Sequence, residues 1–170
     1  MTVYLDTSTV LRAVLAQADP LAIWGKWDAA CASELLGVEA RRVLDRLRLE
    51  GVLDDEQVGA FHAALAAIER TIDRIRLTRL VLGRAALPMA TPVKTLDALH
   101  LASALIWRER RTAELLFATH DPQQARAARA LGFDCVGVSL RRQRRIADCD
   151  RLTPDRPPCV RPPAAPRRDY

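Results

Sequence analysis

Val3-Tyr4-Leu5-Asp6-Thr7-Ser8 reads as a short apolar strand that ends on an acid and passes at once into a helix. Val, Tyr and Leu suit a pleated, covered strand. An aspartate ahead of Thr-Ser supplies an acceptor for the free N–H groups of a first helical turn. This helix is expected to run to about Gln17, before Asp19-Pro20 interrupts it. The same grammar returns near the other end of the chain. Leu115-Leu116-Phe117-Ala118 is a buried strand, and after Thr119-His120 the pair Asp121-Pro122 opens a helix that stops at Gly132.

Between these two units the pattern keeps alternating. Trp24 and Trp27 are expected on a second helical turn, and Ala29 to Ala32 form a short buried strand. Ser33 is the expected N-cap of a long helix to about Leu49, ended by Gly51. A helix starts at Asp54 or Asp55 and runs to about Arg70, followed by a strand from Thr71 to Leu77 and a short helix over residues 78–86. Pro88 and Pro92 mark a loop, Thr95 caps a helix to about Arg110, and Cys135-Val136-Gly137-Val138 closes as a last strand. Strands separated by helices imply right-handed crossovers and a mainly parallel sheet covered on both faces. The expected fold is a three-layer α/β/α domain over residues 1–140.

Composition changes near residue 140. Residues 141–170 hold nine arginines, four aspartates and six prolines with few large apolar side chains, so a disordered tail is expected, either a basic arm or a plain extension. That tail accounts for the whole net charge of +5, and residues 1–140 balance at 17 basic and 17 acidic side chains. Charge alone therefore does not establish nucleic-acid binding. No apolar run approaches the ~20 residues that span a bilayer, and the N-terminus lacks a signal peptide's basic start, so a cytoplasmic protein is expected. Cys31, Cys135, Cys149 and Cys159 show no metal-ligand spacing and read as reduced thiols.

Ligand sites on open parallel sheets form at the carboxyl ends of the strands, which is where Asp6 and Asp121 fall. Each is also an ideal N-cap. Glu39 is different: on a helical wheel with Leu36 at zero it falls at about 300°, inside the arc of Leu35, Leu36, Val43 and Leu47. A carboxylate there needs a partner, either an arginine or a metal ion. Asp97 opens a helix in which nine of residues 96–107 are apolar, so the helix is expected to be buried all round. The helix dipole offers Asp97 an alternative role as an N-terminal anion. His100 and Ser103 are the only other polar groups there, and His100 reads as a satisfied core residue.

With their neighbours, the four acids resemble the PIN-domain nucleases, in particular the VapC-type toxins of bacterial toxin–antitoxin pairs. The matching stretches are Val3–Ser8, Ser33–Arg42, Lys94–Ala102 and Ala118–Asp121, in the family's order. Thr95-Leu96-Asp97-Ala98-Leu99-His100-Leu101-Ala102 is the most specific of them. The resemblance implies an acidic pocket built from Asp6, Glu39, Asp97 and Asp121, holding Mg²⁺ or Mn²⁺, with Thr7, Ser8 and Thr119 lining it. It implies a toxin that is a metal-dependent endoribonuclease, an antitoxin partner and a homodimer. Asp6, Asp97 and Asp121 are expected on one ion, with Glu39 orienting the attacking water or binding a second ion. Cleavage would leave a 5′-phosphate and a 3′-hydroxyl. Arg12, Arg41, Arg42 and Arg46 are the candidate phosphate contacts on single-stranded RNA, or else solvated helix faces.

Other readings are weighed by single positions. A dehalogenase-like phosphatase wants an acid two residues after Asp6, where Ser8 stands, and a receiver domain wants an acid beside Asp6, where Leu5 stands. A housekeeping RNA-processing nuclease of the same fold and a non-catalytic RNA-binding module stay open.

Overall fold

A computed structural model describes residues 1–111 and 113–138. The tail expected after residue 140 lies outside these residues, as does the domain boundary placed there. The strands are Thr2–Leu5 (β1), Ala29–Ser33 (β2), Asp73–Ile75 (β3), Leu115–Ala118 (β4) and Cys135–Val136 (β5). The helices are Thr7–Val14 (α1), Leu35–Leu49 (α2), Asp55–Glu69 (α3), Arg79–Ala85 (α4), Thr95–Arg111 (α5) and Pro122–Ala130 (α6).

All five strands are parallel, in the order β3-β2-β1-β4-β5. β1 is therefore central, with Thr2 opposite Ala29 on one side and Leu115 on the other. The chain goes one way from β1 to β2 and the other way to reach β4, so the β1–β4 seam is the switch point at which such sheets open a crevice.

The period of two along each strand sorts side chains between the two faces. Val3, Leu5, Ala30, Ala32 and Ala118 pack with Val10 and Val14 of α1, Leu36 and Ala40 of α2, and Leu65 of α3. Tyr4, Cys31, Leu115 and Phe117 pack on the opposite face against Leu101, Ala104 and Leu105 of α5 and Ala127 and Ala128 of α6. Val81 of α4 packs onto the outer side of α5 at Ala102 and Ile106. This is a three-layer α/β/α fold. Among the described residues no helix is long and apolar enough to cross a membrane.

Several element ends differ from expectation. α1 stops at Val14, and the chain then takes positive φ at Ala16 and Asp19. The expected helical turn at Trp24 is a run of turns, with Trp24 edge-on to Trp27 at 5.3 Å. Ser33 ends β2 instead of capping α2, and Glu34 stands at the cap position with no capping side-chain bond. Ser33 Oγ still accepts from the Leu35 N–H at 3.3 Å. β3 covers three residues, and β5 stops at Val136 because Gly137 turns to φ +95°. Thr95 lies inside the helix it was expected to cap. α5 is buried from Ala98 to Trp107 apart from Leu99, but Leu96 is exposed, so the helix opens to solvent at its acidic end.

Candidate active site

The acids arrive at one edge of the sheet from four different elements. Asp6 follows the central strand and caps α1, with its N–H bonded to the carbonyl of Ala118 across the β1–β4 seam at 3.0 Å. The residue is 5% exposed. Three donors converge on Oδ2: the Ser8 N–H at 3.1 Å, the Ser8 hydroxyl at 2.6 Å and the Thr119 hydroxyl at 3.0 Å. Carboxylates accepting several such bonds are held in one orientation at low desolvation cost.

Thr119 is fully buried and anchors more than Asp6. Its Oγ1 also lies 2.8 Å from the Gln124 side-chain amide and accepts from the Asp121 N–H at 3.0 Å. One hydroxyl proton serves one acceptor. Asp6 Oδ2 and Gln124 Oε1 both stand within reach of it. Ser8 completes the set by accepting from the His120 N–H at 2.9 Å.

Glu39 projects from the second turn of α2, half-buried, toward α5. Its Oε2 accepts from the Thr7 hydroxyl and lies 2.8 Å from His100 Nε2. The partner is thus a histidine and a threonine, where sequence reasoning weighed an arginine or a metal. On the other side of the ring, His100 Nδ1 is 2.8 Å from the Tyr4 hydroxyl, which accepts from the Ser33 N–H at 3.2 Å. The Tyr4 proton has no acceptor but Nδ1, so the satisfied arrangement places the imidazole proton on Nε2, toward Glu39. Burial lowers the His100 pKa, but the Glu39 hydrogen bond and the charges of Asp6, Glu39 and Asp97 outweigh it and raise it on balance. Burial, reinforced by the nearby charge of Asp6, pushes the Tyr4 pKa well up.

Asp97 sits in the first turn of α5, where its Oδ2 accepts from the Lys94 N–H at 3.4 Å. Burial raises its pKa first, and the charges of Asp121 and Asp6 raise it further, against the Lys94 bond. Asp6, Asp97 and Asp121 are therefore close enough to repel. Asp121 caps α6 through Oδ1, which accepts from Gln123 N at 2.7 Å and Gln124 N at 3.1 Å.

One regularity joins the four. Each carboxylate is anchored through a single oxygen, and no described donor bonds Asp6 Oδ1, Glu39 Oε1, Asp97 Oδ1 or Asp121 Oδ2. His100 Nε2 comes no nearer to Asp6 Oδ1 than 3.9 Å. Among the described residues, however, no group of three or more His, Cys, Asp or Glu side chains is arranged to hold a metal ion. Mg²⁺ usually takes one or two carboxylates and keeps several waters, so spaced carboxylates with free oxygens fit it better than a closed cage would.

The arginines expected to contact phosphate are otherwise engaged. Arg41 pairs bidentately with Glu69 of α3, Arg42 with Asp45, and Arg46 lies 3.9 Å from Glu50. Arg12 donates to the carbonyl of Ala18 at 2.6 Å and stands near His120, whose pKa is lowered by burial and then by that charge. Sequence reasoning placed His100 in the core but missed its tie to Glu39 and Tyr4, as it missed Gln124. The one available signal was a histidine and a glutamine each one turn or less from a site acid.

Fold and site together define a class: a three-layer α/β/α protein with an all-parallel sheet and four acids placed near its switch point. No family model and no curated protein matches the chain. Among solved structures it is similar to FitAB bound to an IR36 DNA fragment, at 12% identity and a TM-score of 0.52, covering 79% of this chain and 93% of that one. At that identity the likeness shows the fold.

Proposed function

We propose that this chain is a metal-dependent endoribonuclease and the toxin member of a toxin–antitoxin pair. The observation that carries the reading is the single-oxygen anchoring of Asp6, Glu39, Asp97 and Asp121 at one sheet edge. Groups serving only as caps and ion pairs have no reason to gather where they repel one another. Asp6, Asp97 and Asp121 would hold the ion, with Glu39 beside them. When bound, Mg²⁺ or Mn²⁺ supplies Lewis acidity, acidifying a water near neutral pH and offsetting charge on a phosphodiester. The chain's own part is orientation. Ser8 and Thr119 fix Asp6, Thr7 and His100 fix Glu39, and the first turn of α6 fixes Asp121. With Nε2–H committed to Glu39, His100 is a positioning residue and not a base. The likeness to FitAB bound to a DNA fragment supports the fold of this reading, and the antitoxin partner comes from the family resemblance of the four acidic stretches.

A second reading has its own observation. Asp6 and Asp121 both complete N-caps, and no ready metal shell stands among the described residues. That favours a non-catalytic module. The two readings part on one experiment: total RNA with Mg²⁺ or Mn²⁺, with and without EDTA, beside Asp6→Asn and Asp97→Asn. Cleavage that needs metal, leaves 5′-phosphates and disappears in both variants is expected. Undiminished cleavage in EDTA, or in both variants, sinks the proposal.

A further inference from the structure

The cation that meets the substrate is not among those singled out from the sequence. A cleft of about 400 Å³ runs between the Thr91-Pro92 loop and the first turns of α6, lined by Thr91, Pro92, Asp121, Pro122, Gln123 and Arg126. It adjoins the fourth acid of the site. Its walls are fixed: the Gln123 amide donates to the Pro92 carbonyl at 2.9 Å, tying loop to helix, and Asp121 is held by its capping bonds.

Arg126 stands one turn after Pro122, on the same face of α6. It is exposed and makes no ion pair or hydrogen bond among the described residues, although Asp121 lines the same cleft. Arg41, Arg42, Arg46 and Arg48, in contrast, are all paired with neighbouring carboxylates. A cleft lined by an anchored carboxylate and by a guanidinium unpaired among the described residues suits a ligand with its own negative charge near the arginine. A phosphodiester meets that condition, because a guanidinium fork matches two phosphate oxygens.

We infer that Arg126 binds a backbone phosphate of the RNA substrate in this cleft, setting the strand's register against Asp121. The inference rests on the nuclease reading and adds to it the residue that positions the substrate. It also implies cooperation: the Asp121 carboxylate repels a phosphate until a divalent cation offsets it, so RNA and cation should strengthen each other's binding.

The test uses the full chain and a labelled single-stranded RNA of about 20 nucleotides with mixed sequence. Binding is measured in Ca²⁺, with the probe checked for integrity, from ~50 to ~200 mM salt. Arg126→Gln is expected to weaken binding about tenfold at low salt, and to make the salt dependence shallower by about 0.7. In Mg²⁺ the same variant should raise KM and leave kcat near wild type. Arg126→Lys should restore the salt slope but only part of the affinity, since the charge returns without the fork. Arg129→Gln, which removes one charge from the same helix outside the cleft, should change neither. A DNA strand of the same sequence that loses affinity equally on Arg126→Gln supports the same contact, since phosphate is what is read.

Equal losses in Arg126→Gln and Arg129→Gln would reduce the effect to net charge and overturn the inference. So would an unchanged slope and KM in Arg126→Gln, and if cleavage still required Asp6 and Asp97 the nuclease reading would stand without it. A wild-type protein that neither binds nor cuts RNA overturns both.

Discussion

Asp121 does two jobs with two oxygens, and substitution can separate them. Oδ1 caps α6 while Oδ2 adds negative charge to a crowded edge. Asparagine caps nearly as well as aspartate but carries no charge. In metal-free buffer Asp121→Asn should match or slightly exceed wild-type stability, within about 0.5 kcal/mol, because Asp97 and Asp6 lose a repelling neighbour. The same variant should gain less from added Mg²⁺, which urea unfolding with and without the ion will show. Tyr4→Phe argues the opposite way. It removes a hydroxyl that serves both the Ser33 N–H and His100 Nδ1, leaving two buried groups unpaired. A loss of about 1–3 kcal/mol is expected, together with a weaker hold on Glu39. Were Tyr4→Phe neutral in urea unfolding, the tautomer assigned to His100 would be wrong.

At the scale of the element, Gly137 decides how β5 ends and how firmly Thr119 is seated. It has φ +95°, and a Cβ there would stand 2.5 Å from the Thr119 carbonyl oxygen, which is backbone and cannot step aside. Gly137→Ala should cost about 1–3 kcal/mol and loosen Asp6 through Thr119, lowering both the urea midpoint and the Mg²⁺ response. Where α2 meets α3, the Arg41–Glu69 pair holds the Glu69 pKa below its usual value through a direct hydrogen bond that outweighs burial. A depressed folded-state pKa adds stability that is present above the unfolded value, about 4.3, and lost as pH falls through the folded one. Arg41 is nearly half exposed, so solvent screens the pair, and the gain should stay below about 1 kcal/mol. Glu69→Gln should therefore flatten the acid limb of the stability curve without moving stability at neutral pH by more than that.

These elements also show what the sequence could tell. Leu115–Ala118 was placed to the residue because a four-residue apolar run bounded by polar ones has one reading. A helix start at Asp54 or Asp55 was legible too, and the structure puts Asp54 at the cap, with Gln57 completing a capping box. Apart from the helical turn expected at Trp24, the misses sit at ends, where a hydrogen bond or a backbone angle decides and no pattern does: Val14 before the positive φ of Ala16, Ser33 inside β2, Val136 before Gly137. Four acids could be named from their types and order. Their hub could not, because Tyr4 and Glu39 lie 96 and 61 residues from His100 and nothing local in the sequence links them.

For the whole molecule, the repulsion at the sheet edge is a standing cost that a cation bound as proposed would remove. Added Mg²⁺ should raise the thermal midpoint of the wild type, by an amount equivalent to about 2.7 kcal/mol at a hundredfold excess over Kd. EDTA should reverse the gain, and the Asp6→Asn/Asp97→Asn pair should show little of it. A double variant that responds as fully as wild type would place the ion elsewhere. The neutral balance of residues 1–140 means that this response reports a local arrangement and not a general attraction of cations to an acidic surface.

The seam between β1 and β4 has a temporal meaning as well. β1 leaves the ribosome well before β4, yet one of the two hydroxyls that orient Asp6 belongs to a residue 113 positions later. During synthesis Asp6, Glu39 and Asp97 are all present before any of β4 exists to seat the first of them. A nascent or interrupted chain is thus expected to be inert, and competence to cut arises in one late step when β4 docks. For a protein proposed to damage the cell that makes it, that order gives a partner time to be on hand before β4 falls into place.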